Sequence, residues 1–158
     1  MTDANLDDTL ILETSQGPVT IKMRPDVAPG HVTRIKELVR DGFYNGLKFH
    51  RVIEGFMAQT GCPNGTGTGG SPKGHLEAEF SNVPYKRGVV GMARAADPHS
   101  ASSQFFIMFA DGSFLNGKYT VWGEVTDGMD NVDKIKRGEP PSSPDIIVKA
   151  RMAADAAS

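Results

Sequence analysis

The run Phe49-His50-Arg51-Val52-Ile53-Glu54-Gly55-Phe56-Met57-Ala58-Gln59, echoed by Ser103-Gln104-Phe105-Phe106-Ile107, brings an arginine, two glutamines and several large apolar side chains onto strand-like segments. The set holds no paired acids, no nucleophile beside a base and no metal cluster. Groups of these types can grip an amide and exclude water around it. They are poorly equipped to make or break covalent bonds, because none supplies a general base, an activated nucleophile or a Lewis acid.

Strand periodicity sorts these side chains by face. In 104–109, Gln104, Phe106 and Met108 share one face, and Phe105, Ile107 and Phe109 take the other. The second set is wholly apolar and is expected in the core; the first mixes an amide with apolar groups, which suits a ligand surface. Met57 and Gln59 share a face, and Phe56 opposes them unless the strand starts irregularly. On pattern alone, Arg51 reads as a surface residue of an edge strand, its charge paired with a group such as Glu54. Taken singly, Phe56, Phe106, Phe114 and Leu115 read as core. His50 falls on the face opposite Arg51 and is expected to be buried and hydrogen-bonded.

Other chemistry-bearing features give little. Gly65-Thr66-Gly67-Thr68-Gly69-Gly70 formally satisfies G-x-G-x-x-G, but Ser71-Pro72-Lys73-Gly74 follows it and opposes the helix that a nucleotide site needs. A loop whose backbone comes close to an extended ligand is the alternative to a plain surface loop. His31, His75 and His99 show no ligand spacing with one another or with Cys62, so no metal site is expected. Cys62 is the only cysteine, which fits a reducing compartment and a small, partly buried residue.

The elements that must hold these residues are mostly short strands. The 158 residues carry a net charge of −2, which gives no electrostatic reason to expect nucleic acid or an anionic membrane as partner. No apolar run approaches the roughly 18 residues of a membrane helix. Strands are predicted at 9–14, 19–23, 47–53, 56–60, 89–93, 104–109, 119–125 and 146–152, with a hairpin turn at 15–18. Val32, Ile35, Leu38 and Val39 fall on one face of a helix predicted over 29–41, opened by Pro29 and stopped by Gly42. A second helix is predicted over 129–137. Many short antiparallel strands with two helices make the chain mainly β, a closed or nearly closed sheet with helical plugs.

Taken together, Phe49-His50-Arg51-Val52-Ile53, Gly55-Phe56-Met57, Gln59, Gly67-Thr68-Gly69-Gly70, Met92-Ala93-Arg94-Ala95 and Ser103-Gln104-Phe105-Phe106-Ile107 resemble the signatures of the cyclophilins. They occur in the family's order and approximate spacing. The stretch from Ala93 to Ser103 is more similar to bacterial members than to animal ones. The resemblance implies an eight-stranded antiparallel β-barrel, closed and capped by two α-helices. It implies peptidyl-prolyl cis–trans isomerisation that assists protein folding, without cofactor or metal. By motif position Arg51 matches the catalytic arginine. Phe56, Met57, Phe106 and Leu115 match the pocket for the proline ring, and Gln59 and Gln104 the polar groups beside it. Ala93, Arg94 and Ala95 match the segment whose backbone binds the residues preceding proline, and Gly67 a glycine lining the groove.

Two substrate-site positions depart from the best-known animal members. Phe114 stands where they carry a tryptophan that hydrogen-bonds the drug cyclosporin, so cyclosporin binding is expected to be weak. Tyr119 stands where they carry a histidine and still offers an aromatic wall. The expected organisation is a flexible extension over 1–8, an isomerase domain over 9–152 and a frayed tail over 153–158. The expected partners of this cytoplasmic monomer are proline-containing peptides and unfolded protein clients, with no nucleic acid and no membrane. The alternative is a non-catalytic module, a chaperone or scaffold that binds proline peptides without turning them over.

Overall fold

A computed structural model describes residues 8–63, 65, 70–71, 73–94, 97, 99–138 and 141–155. Alternation in the first two apolar runs buries Leu10 and Leu12 on β1 (Thr9–Thr14) and Val19, Ile21 and Met23 on β2 (Gly17–Met23). The two strands pair as an antiparallel hairpin. Its turn is tighter than predicted, because Gly17 and Pro18 already belong to β2, with Gly17 opposite Thr14. Asp145, only 3% exposed, latches this turn. Its Oδ1 accepts from Ser15 Oγ (2.8 Å) and Gln16 Nε2 (3.0 Å), and its Oδ2 from Lys136 N (2.8 Å). Burial alone would raise the pKa of this carboxyl, but the donors outweigh it and the net shift is downward.

Helix α1 (Pro29–Arg40) buries Val32, Ile35, Leu38 and Val39, the face the spacing predicts, together with His31. Gly42, at φ 76°, ends it. The Gly42 N–H reaches the Val39 carbonyl (3.1 Å) and the Phe43 N–H the Leu38 carbonyl (3.0 Å), which is the Schellman closure that a left-handed glycine permits. At the other end Ala28 offers no side-chain cap. The orphan N–H groups of Gly30 and His31 instead donate to the carboxylate of distant Glu79, at 3.1 and 2.8 Å.

The remaining strands are β3 (Arg51–Ile53), β4 (Met57–Thr60), β5 (Val89–Met92), β6 (Phe105–Met108), β7 (Val121–Asp127) and β8 (Ile147–Met152). They form one antiparallel sheet in the order β3-β4-β6-β5-β7-β2-β1-β8. Register shifts at Glu13/Thr14, Thr20/Ile21 and Val90/Gly91 bend it, as bulges do. The closed barrel expected from the sequence is realised as a strongly curled eight-stranded sheet without a continuous ladder between β3 and β8. Its two ends meet through an isolated bridge, Lys48 to Ile146, flanked by Phe49 N to Asp145 O (2.9 Å) and Ile147 N to Leu47 O (2.8 Å). These contacts also explain why β3 is shorter than the predicted 47–53.

Helix α2 (Met129–Val132) is shorter than the predicted 129–137. Its continuation is intercepted: Lys136 N donates to Asp145, and Arg137 Nη1 takes the carbonyls of Asp133 (2.8 Å) and Ile135 (2.6 Å). At the margins of the predicted domain, Asp8 accepts from Lys36 Nζ (2.7 Å), and residues Ala153–Asp155 form a short helical turn.

Two apolar clusters result. The main core joins α1 and the α2 region to the sheet and includes Leu10, Ile21, Ile35, Phe49, Phe105, Ile107, Trp122 and Val132. A smaller cluster of Met57, Tyr85, Val89, Phe106, Met108, Leu115 and Val121 lies apart from it. The period of two along β6 divides them: Phe105 and Ile107 enter the first, Phe106 and Met108 the second, as the sequence predicts.

Candidate active site

Register, rather than sequence proximity, assembles the site. Arg51 on β3 lies opposite Gln59 on β4, Gln59 opposite Phe106 on β6, and Phe106 opposite Gly91 on β5. Residues directly opposite one another share a face, so cation, amide and ring form one row across the sheet. Arg51 Nη1 donates to Gln59 Oε1 (3.3 Å), and Gln59 Nε2 donates to Gln104 Oε1 (2.9 Å). Gln59 is itself buried, so its amide orients the arginine from a fixed position. The guanidinium sits exposed at the edge strand, its head at the mouth of the row.

Beside the row lies a cavity of about 120 Å³. It is lined by the polar Arg51, Gln59 and Arg94 and by Phe56, Met57, Ala93, Phe106, Leu115 and Tyr119. Phe56 joins them because it belongs to the turn before β4, not to the strand, which is the irregular start the face assignment required. Its ring lies 5.5 Å from that of Phe114, which is 63% exposed on the rim. The Tyr119 ring meets Phe106 edge-on at 6.0 Å and carries the Arg94 guanidinium over its face at 4.5 Å. Arg94 Nη2 also donates to the Lys118 carbonyl (2.8 Å). Ala93 N donates to the Gln104 carbonyl (3.0 Å), which fixes the segment after β5 along the cavity.

The structure thus brings together Arg51, Phe56, Met57, Gln59, Ala93, Arg94, Gln104, Phe106, Leu115 and Tyr119 of the predicted set, with Phe114 at the rim. Gly67 and Ala95 lie outside the described residues. Glu54, the pattern-based partner for Arg51, accepts instead from Arg137 Nε at 3.0 Å. His50 is buried as expected, but among the described residues neither ring nitrogen has a hydrogen-bond partner of good geometry. Burial, chiefly, lowers its pKa, against weaker opposing effects of the Lys48 backbone and the Gln104 side chain. Tyr85 and Glu79 were not singled out from the sequence. Both lie in the irregular stretch between β4 and β5, where no periodicity marks a face. Among the described residues no three potential metal-ligating side chains converge.

A row of this kind can hold a planar amide against an apolar floor with a cation at one edge, and offers no group placed to attack it. The chain matches the family model for cyclophilin-type peptidyl-prolyl cis–trans isomerase/CLD over residues 9–152. It is 54% identical over 168 aligned residues to the probable peptidyl-prolyl cis-trans isomerase of Brucella suis, covering 96% of this chain and 86% of that protein. The fold matches the crystal structure of cyclophilin AquaCyp293 from Hirschia baltica with a TM-score of 0.90 at 33% identity, covering 98% and 77% of the two chains. It also matches a Cryptosporidium parvum cyclophilin-type isomerase, solved in the presence of the dipeptide Ala-Pro, with a TM-score of 0.85 at 28% identity. That match covers 91% of this chain and 98% of the other. The chain belongs to the cyclophilin-type peptidyl-prolyl cis–trans isomerase family. Its activity is therefore rotation about the peptide bond preceding proline.

Proposed function

We propose that Arg51 is the catalytic residue, that the cavity takes the proline ring, and that the substrates are Xaa-Pro bonds in unfolded or loop segments of protein clients. The single observation that carries this is the transverse row of Arg51, Gln59 and Phe106, which sets a fixed guanidinium beside an apolar floor. The Ala-Pro dipeptide present with the Cryptosporidium relative supports the choice of ligand.

The chemistry follows from the amide. The barrier to rotation, about 18–20 kcal/mol, comes from resonance, and it makes Xaa-Pro interconversion take tens to hundreds of seconds. At the top of the barrier the bond is twisted. The nitrogen lone pair is localised and basic, and the amide dipole is smaller. A guanidinium aimed at that nitrogen gains an acceptor that barely exists in the planar state. The apolar wall of Phe56, Met57, Phe106 and Leu115 disfavours the more dipolar planar amide and holds the ring while the acyl side turns. The backbone of residues 93–95 aligns the residues preceding proline. A preorganised donor is worth about 3 kcal/mol, whereas an acceleration of about five decades needs roughly 7 kcal/mol. Desolvation and orientation supply the difference.

No proton moves in this mechanism. His50, adjacent to Arg51, has its pKa lowered by burial and is neutral above the ordinary histidine range. The expected pH profile of kcat/KM is therefore flat from about pH 7 to 9. A bell-shaped profile in that window, measured on a proline peptide, would contradict the mechanism.

The fold closes, in this reading, as a barrel through the bridge between Lys48 and Ile146. Residues 9–152 form the catalytic unit, flanked by the 1–8 extension and the 153–158 tail, and the protein works as a cytoplasmic monomer. A buried thiol at Cys62 fits a reducing compartment. Cyclosporin is expected to bind weakly, because Phe114 offers a ring without a donor. Phe114→Trp should tighten that binding by roughly tenfold, the value of about one hydrogen bond. Unchanged affinity in a calorimetric titration would remove Phe114 from the explanation.

The test of function is exchange spectroscopy on a short Ala-Pro peptide. Catalysis is expected to speed cis–trans exchange at substoichiometric protein. Peptide binding with exchange no faster than in buffer would favour a binding module instead.

A further inference from the structure

Phe106, the floor of the cavity, faces Gly91 across the β5–β6 pair. Gly91 has no side chain to support it, and the space a side chain would fill is occupied by Tyr85. A Cβ at Gly91 would collide with the Tyr85 hydroxyl oxygen and lie 2.8–2.9 Å from Cε1 and Cζ of the same ring. The phenol runs nearly parallel to Phe106, with centroids 5.7 Å apart and planes 27° from parallel. Tyr85 is 1% exposed, and its hydroxyl has no hydrogen-bond partner among the described residues, so packing holds the ring.

The same residue holds the opposite wall. Its N–H donates to Asn116 Oδ1 (2.8 Å), and its carbonyl accepts from Gly112 N (2.8 Å). These bonds grip both ends of the segment that carries Phe114 and Leu115. Side chain and main chain of one residue, itself more distant in the chain, thus brace both Phe106 and the segment that carries Leu115.

We propose that Tyr85 is the positioning residue of the proline cleft: its ring, seated in the gap left by Gly91, sets the height and tilt of Phe106 relative to Leu115. The proposal rests on the reading of this cavity as the proline site. The hydroxyl has no part in it. A buried hydroxyl without a partner weakens a fold, so Tyr85→Phe should keep activity and raise Tm. Tyr85→Leu removes the flat support and lets Phe106 sink. A floor displaced by a fraction of an ångström loosens the ring in planar and twisted states alike. The loss should therefore fall on KM more than on kcat.

The experiment measures kcat and KM on an Ala-Pro peptide well below each variant's Tm, with the Phe106 ring resonances followed by selective labelling. Tyr85→Phe should stay within about twofold of wild type. Tyr85→Leu should lose roughly tenfold in kcat/KM, mainly through KM, with shifted Phe106 signals. Should Tyr85→Leu fail to fold, Gly91→Ala decides. Its methyl pushes on the phenol from the opposite strand and should give the same loss, and adding Tyr85→Phe should recover part of it. A Tyr85→Leu protein that loses only Tm, with kcat/KM and the Phe106 resonances of wild type, overturns the inference, as does a fully active Gly91→Ala protein. An inactive wild type would instead reject the reading of the site itself.

Discussion

Arg51→Ala should fold as wild type does and lose about two decades of kcat on an Ala-Pro peptide, the worth of one preorganised donor at a developing charge. The guanidinium is exposed on the edge strand and lies outside both apolar clusters, so its removal should move Tm by little. The peptide should still bind, because Phe56, Met57, Phe106 and Leu115 remain. The effect is therefore expected on kcat, while KM changes by less than about threefold. Arg51→Lys should recover only a minor part. A point-charge ammonium lacks the planar fork through which Nη1 engages Gln59. Gln59→Leu should cost less than Arg51→Ala, since it removes the orienting amide but not the cation. Full turnover by Arg51→Ala would transfer catalysis to the apolar walls alone.

The second large effect is on stability. Glu79→Ala should destabilise the protein by about 3 kcal/mol, roughly 10 °C in Tm, with little change in kcat/KM below the transition. One carboxylate answers the first orphan N–H groups of α1 and the Nδ1 of His31, a side chain with no exposure. Its removal leaves the buried His31 ring and the partly buried His31 N–H without their acceptor, at a helix start that Ala28 does not cap. Glu79→Gln should restore part of the loss, because an amide oxygen still accepts. Circular dichroism melts of the three proteins check this, and equal Tm values would contradict it.

The same pair predicts weakness in acid. Burial lowers the pKa of His31, chiefly, against the opposing pull of Glu79, and among the described residues the His31 Nε2 has no acceptor to receive a second N–H. Burial would raise Glu79, but the bonds from His31 and the start of α1 outweigh it and lower its pKa. For both groups the unfolded chain binds protons more readily than the folded one. Stability from His31 is complete above about pH 6.5 and declines as pH falls below it. That from Glu79 follows below about pH 4.3. Denaturation midpoints should fall between about pH 7 and 5 in wild type, and less steeply in His31→Gln.

The parts of the fold legible in the sequence were those fixed by local periodicity. The alternation in β6 divided Phe105 and Ile107 from Phe106 and Met108, and the helical spacing in α1 picked its buried face. The candidate site was legible chiefly through its signature residues, because pattern alone placed Arg51 on the surface and Phe106 in a core. Both of those local readings describe the molecule: Arg51 is exposed and Phe106 is buried. What pattern could not supply is the register that sets them in one row.

The misread features share a cause in long-range partners. Helix α2 stops early because Asp145 and the Arg137 side chain capture its groups. Glu54 turns to Arg137, and α1 is capped by Glu79 from 49 positions away. Tyr85 gave no signal, since its importance depends on an absent side chain at Gly91 on a strand still to come.

The central claim is that the Arg51 guanidinium meets the imide nitrogen of a proline seated on Phe106. A crystal structure with a bound Ala-Pro peptide tests it most directly. The expected result is the ring over Phe106, with an Arg51 N–H about 3 Å from the prolyl nitrogen or within reach of it in the twisted geometry. A ring seated elsewhere, or a guanidinium turned away and more than about 5 Å from that nitrogen, would contradict it.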